Sequence, residues 1–182
     1  MNTFQSEYLN TAIRRLKYYK DLGDKTFEQL TDNDFHYQFN EESNSIAIII
    51  QHMAGNMLSR WTNFLTEDGE KSWRQRDDEF AVHQYSKAQL IDIWEKGWNC
   101  FLEALAALQE EDLLKTITIR SESLTVTDAI NRQLAHYPYH IGQIAYIGRM
   151  VKASEWKSLS IPKGGSANYN QNSTIKDPAK KF

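Results

Sequence analysis

The stretch Leu134-Ala135-His136-Tyr137-Pro138-Tyr139-His140-Ile141-Gly142-Gln143 holds two of the chain's five histidines, four residues apart. Continued in both directions, Ile130, Leu134, Tyr137, Ile141, Ile144, Ile147 and Val151 recur at steps of three and four, the period of a helix with one apolar face. On such a helix both rings stack on one side, within reach of a single metal ion. Imidazole is neutral over much of the physiological range and is the commonest side-chain ligand for divalent transition metals. Taken alone, the pair reads equally well as two half-buried histidines bonded to backbone. Inside the helix, Pro138 would leave the Leu134 carbonyl without its amide partner and bend the axis. At the first helical position it would be tolerated, but His136 would then precede the helix. The continuous, kinked helix keeps the rings together and is the reading adopted. Two histidines do not complete a site, so a third donor has to come from elsewhere.

Working outward, Thr127 or Asp128 is positioned to cap this helix. Before it, residues 116–126 alternate apolar and polar on both sides of a short polar turn, which predicts a small two-stranded hairpin. A hairpin this small must pack on the helices. A third helix is expected from Ser86, with Gln89 completing a capping box, to about Gln109. Residues 66–85 form a long connection. It reads either as a charged surface loop pinned by Trp73 and Phe80, or as a flap over a pocket. In the second reading Arg74 and Arg76 offer donors to an anionic substrate group. His83 near its end is an alternative metal ligand.

A second helix is expected from Ser43–Ser45 to about Leu65, with Ile46, Ile49, Ile50, Met53, Met57, Trp61 and Phe64 on its apolar face. His52 lies beside that face, as an interior histidine or as the missing ligand. Gly55, one turn on, leaves room around it. The first helix spans residues 3–22, capped by Asn2 or Thr3, with a stripe of Phe4, Tyr8, Ala12, Leu16 and Tyr19 and an end at Gly23-Asp24. Thr26-Phe27-Glu28-Gln29 opens one further turn. Residues 31–44 are an extended connection that tucks Phe35, Tyr37 and Phe39 under the domain and leaves His36 exposed. Residues 1–165 make one domain, and 166–182 an irregular tail.

Composition is that of an ordinary globular chain of 182 residues, 41% hydrophobic and 25% charged. A formal net charge of −3 gives no case for nucleic acid or an anionic membrane surface. The single Cys100 excludes an internal disulfide or a multi-cysteine zinc site and fits a reducing cytoplasm. No secretory signal is visible in Met1-Asn2-Thr3-Phe4-Gln5-Ser6-Glu7. The longest apolar run, Ile46–Ile50, is far short of the ~20 residues of a membrane span. Four amphipathic helices suggest an all-α four-helix bundle with a small β-hairpin between the third and fourth long helices. Metal sites in bundles are built from facing helices, which groups His52 with His136 and His140.

Several longer strings carry a resemblance. They are Ser45-Ile46-Ala47-Ile48-Ile49-Ile50-Gln51-His52-Met53-Ala54-Gly55-Asn56, the run from Gly69 through Lys71, Trp73, Arg74, Arg76 and Glu79 to Phe80, His136 to Gln143, and Leu159-Ser160-Ile161-Pro162-Lys163-Gly164. On these the chain resembles the DinB/YfiT-like superfamily, specifically its DUF1572 branch, over about residues 1–170. The resemblance implies an up-up-down-down bundle, commonly a homodimer. It also implies one divalent metal held by His52, His136 and His140. Related members include thiol-dependent transferases and isomerases that use bacillithiol, mycothiol or glutathione; the DUF1572 branch has no assigned reaction.

Three neutral nitrogen ligands leave positions open for water or substrate, as in catalytic sites. The reading is therefore a metal-dependent enzyme acting on a small molecule by thiol transfer or hydrolysis. Zinc, nickel, iron and manganese all suit the site. Asn56 and Gln143, each near a ligand, join Arg74 and Arg76 as candidate substrate contacts. The alternative is a non-catalytic metal-binding stress or scaffold protein.

Overall fold

The computed structural model describes residues 3–172 and 177–182. The fold is mostly helical, with one small two-stranded antiparallel sheet. Helix α1 runs Phe4–Phe27 and is capped by the Thr3 hydroxyl, which accepts from the Ser6 amide; Asn2 lies outside the described residues. It does not stop at Gly23-Asp24. A Cβ at Gly23 would stand 2.7 Å from Trp94, so the glycine serves close packing of an indole rather than a helix end. Trp94 Nε1 donates to Asp24 Oδ1 at 2.7 Å, which gives the indole N–H its partner. Thr26 and Phe27 therefore belong to α1. The buried stripe is Leu9, Ala12 and Leu16; Phe4, in the first turn, is exposed and stacks on Tyr8.

Helix α2 is a single turn, Asp32–Phe35, with Thr31 and Asp34 forming a capping box. Residues 31–44 are thus not simply extended. Phe35 alone of the three aromatics is buried, against Phe27, whereas Tyr37 and Phe39 are exposed. His36 is not free in solvent either, because its Nε2 bonds the Tyr85 carbonyl at 2.7 Å.

Helix α3, Ile46–Trp61, begins at Ser45, whose hydroxyl accepts from the Ile48 amide. Every residue of α3 except Gly55 and Leu58 is buried. It is the central helix, and a helix covered on all sides loses the amphipathic contrast that marks its neighbours. Helix α4, Lys87–Ala106, lies against α3 and starts at the expected Ser86–Gln89 capping box. Gly97 permits the close approach: a Cβ there would stand 2.8 Å from Ala54 Cα. Strands β1, Thr116–Ile119, and β2, Glu122–Thr125, pair antiparallel, with Arg120 and Ser121 at positive φ in the turn. That backbone matches the right-handed twist of a two-residue hairpin turn.

Helix α5, Val126–Lys152, is capped by Thr125, two residues before the first expected cap, and passes through Pro138 without a break. It packs along α1 and against α3. Ser166–Asn172 forms a short helix, α6, where an irregular tail was expected. Beyond it, Asp177 binds Arg15 of α1 through two bonds of 2.6 Å, and Ala179 is buried. The chain end thus docks through a two-point ion pair rather than an apolar stripe, which periodicity does not report. Among the described residues, no helix is long and apolar enough to cross a membrane.

Candidate metal centre

His52 sits two turns into α3, and His136 and His140 sit one turn apart on α5. One nitrogen from each ring lies within 4.8 Å of the other two. His136 Nε2 and His140 Nε2 are 3.1 Å apart. His83, the other ligand considered, is not part of this cluster; its ring pairs with Asp78.

The opposite edge of each ring is held by an oxygen. His52 Nδ1 lies 3.1 Å from Glu79 Oε2, His140 Nδ1 2.7 Å from Gln143 Oε1, and His136 Nδ1 3.4 Å from Gln133 Oε1. Carboxylate and amide oxygens only accept, so each Nδ1 carries the proton and donates. Each Nε2 is then a lone pair, and two facing lone pairs 3.1 Å apart repel unless a cation lies between them. Two nitrogens bound at about 2.0–2.1 Å to one tetrahedral ion stand roughly 3.3 Å apart. The donor set therefore fits a divalent metal, with outer partners of the kind that fix the tautomer of ligand histidines.

Electrostatics favour the same state. Burial, then the neighbouring His140 and His52, push His136 down to about 4. Burial also lowers His140, against a smaller opposing effect of Gln143. Both rings stay neutral and available as ligands at physiological pH. Burial resists ionisation of Glu79, but the bonds from Arg74 and His52 prevail and hold its carboxyl below the usual range.

The long connection is what delivers Glu79. Asp68 accepts the backbone amides of Arg120 and Ser121 at 2.8 Å, and Gly69 donates to the Thr118 carbonyl, tying the loop's start to the hairpin. A short turn, Asp78–Phe80, then lies against α3. Trp73 is exposed and does not pin this loop; buried Lys71, Arg74 and Glu79 do. Arg74 Nε and Nη2 bind both oxygens of Glu79, at 2.6 and 2.8 Å. A Cβ at Gly55 would stand 2.7 Å from Glu79 Cδ, so Gly55 leaves room for this carboxylate rather than for His52 itself.

A cavity of about 280 Å³ opens on one side of the histidines, lined by His52, Asn56, Gln133, His136 and five arginines. Asn56 lines it, with Oδ1 accepting from the buried Tyr137 hydroxyl at 3.1 Å. Arg76 lines it too, exposed, with its guanidinium over the Phe80 ring. Arg74 reaches it while committed to Glu79. Gln143 does not line it; its amide joins His140 to Tyr139 and borders a separate groove of about 590 Å³. Sequence reasoning missed Glu79, Gln133, Arg60, Arg120 and Arg132. Gln133 and Gln143 were detectable by spacing, three residues outside each histidine of the pair. Arg60 and Arg132 continue the histidine faces at four-residue steps.

These features define a helical protein with a three-histidine cluster that can hold a metal ion, beside a cavity lined by two of the three. The chain belongs to the family described as Protein of unknown function (DUF1572), which matches residues 3–165. No curated protein and no solved structure matches it.

Proposed function

We propose that this chain is a metal-dependent enzyme of DinB/YfiT-like kind, its four long helices forming an up-up-down-down bundle. His52, His136 and His140 would hold one divalent ion, zinc, nickel, iron or manganese. The observation that carries this reading is the convergence of one ring nitrogen from each of three histidines, with an oxygen beside each Nδ1, next to a cavity. When bound, such an ion supplies Lewis acidity that makes a water or a thiol acidic near neutral pH.

The chain's own residues supply orientation and charge. Glu79, Gln133 and Gln143 hold the ligand rings in one tautomer. Glu79 is saturated by Arg74 and His52, so it positions His52 and is not a free base. Among the described residues, the cavity lining contains arginine, histidine and amide side chains and no carboxylate. Its arginine and amide groups donate hydrogen bonds to developing negative charge. Asn56 and Arg76 face the substrate. Arg74 and Gln143 act through Glu79 and His140. The reaction we favour is transfer of a low-molecular-weight thiol such as bacillithiol or glutathione to an electrophilic small molecule, with hydrolysis as the other outcome of the same chemistry. We place the enzyme in the cytoplasm as a homodimer.

The test is metal content per chain, on protein purified without chelator or a nickel column, for wild type, His52→Ala and His136→Ala. About one ion per chain, lost in both variants, is expected. No ion in wild type after reconstitution refutes the reading. Metal-dependent consumption of glutathione or bacillithiol with a generic electrophile then separates transfer from hydrolysis.

A further inference from the structure

The cavity extends well beyond the histidines, and its far wall is cationic. His52, Asn56 and Arg60 follow one another at four-residue steps along α3, and His140, His136 and Arg132 do the same along α5. At 1.5 Å per residue, Arg132 lies about 6 Å along its axis from His136, and Arg60 about 12 Å from His52. Arg120 from the hairpin turn, with Arg74 and Arg76 from the long connection, completes the wall.

Only part of this charge is neutralised. Glu79 is taken by Arg74. Glu70 is shared, 3.1 Å from Arg60 and 2.8 Å from Arg120. Among the described residues, Arg76 and Arg132 have no carboxylate partner. Five guanidinium groups against two carboxylates leave an excess of three positive charges around one small cavity. Burial pushes the Arg60 guanidinium below its usual range, with Arg74 and Arg120 adding to the effect against Glu70. An apolar ligand would leave these groups desolvated without compensation. An oxyanion matches the guanidinium fork in charge and geometry.

We propose that this cavity is an oxyanion-recognition site, and that the small molecule acted on at the histidine centre carries a phosphate-type dianion gripped by Arg132 and Arg76. The dianion sits one to two helical turns from the reacting end. The link to a substrate rests on the function proposed above; the anion grip itself requires no metal.

The experiment is calorimetric titration of inorganic phosphate into the full-length chain, as purified and after metal removal, at constant ionic strength. One phosphate per chain is expected in either state. Arg132→Ala and Arg76→Ala should each weaken it about tenfold or more, since charge-assisted bonds are lost. Arg132→Lys should fall between, keeping the charge without the fork. Both side chains are exposed, so unchanged melting curves will accompany the loss. Absence of phosphate binding to wild type at tens of millimolar, or equal affinity in the doubly substituted chain, overturns the proposal. Metal content of the same samples separates the two readings. Phosphate bound through Arg132 without metal uptake sinks the metalloenzyme alone; normal metal uptake with phosphate indifferent to both substitutions sinks the anion site alone.

Discussion

Replacing Gly55 by alanine should damage the histidine centre without touching a ligand. A Cβ at this position would stand 2.7 Å from Glu79 Cδ and closer still to Oε1. A free carboxylate would swing aside at little cost. This one is held by two bonds from Arg74 and one from His52, and all three groups are buried. Moving it leaves the Arg74 guanidinium, almost wholly enclosed, without its counter-ion. Breaking a buried pair costs about 3–5 kcal/mol. Alanine in a helix interior returns about 1 kcal/mol over glycine. The net loss is therefore about 2–4 kcal/mol. With an m-value of about 2 kcal/mol/M, the urea midpoint of metal-free protein should fall by about 1–2 M. Loss of the outer partner of His52 should also weaken zinc binding about 10–100-fold, read by competition with a chromogenic chelator. A Glu79→Ala background should reverse the sign, the same Gly55→Ala change then adding about 1 kcal/mol. A Gly55→Ala protein as stable as wild type, with unchanged zinc affinity, would refute the carboxylate's role.

The remaining predictions concern packing, proton linkage and ligand support. Gly97→Ala puts a methyl 2.8 Å from the Ala54 backbone, which cannot step aside, so overpacking of about 1–3 kcal/mol should outweigh the helix-propensity gain and lower Tm. His136 is depressed to about 4 in the folded chain from an ordinary 6.5, so the unfolded chain binds more protons between those values. Metal-free stability should be full above about pH 6.5 and fall as pH drops toward about 4, with a smaller decline in His136→Gln; urea midpoints at pH 7.5 and 5 check this. Gln143→Leu removes the acceptor behind His140 and should lower metal affinity about tenfold while leaving stoichiometry at one, measured by the same chelator competition.

Local signals in this chain read correctly where the deciding interactions lie within a few residues. The Ser86–Gln89 capping box, the alternating hairpin strands and the periodic face of α5 all depend on neighbours at two, three or four positions. The histidine trio was legible for the same reason: the pair is a one-turn spacing, and His52 borders an apolar stripe that had to face inward. Gly23 misled because glycine ends helices locally, whereas here it accommodates Trp94, which stands 71 positions away in the sequence. Trp73 misled because it is exposed, whereas the connection meets α3 through the Phe80 ring and the buried Glu79, both against His52.

By itself, then, the sequence determined the four long helices, the caps at Thr3, Ser45 and Ser86, and which histidines could share one face, since backbone periodicity is a property of short range. Only the tertiary structure decided that Glu79 stands behind His52, 27 residues away, and that Tyr137 orients Asn56 across 81. It alone gathered five arginines from two helices, a hairpin and a loop around one cavity. Charge acts through space, and no local pattern records which distant side chains folding will bring within a few ångströms of one another.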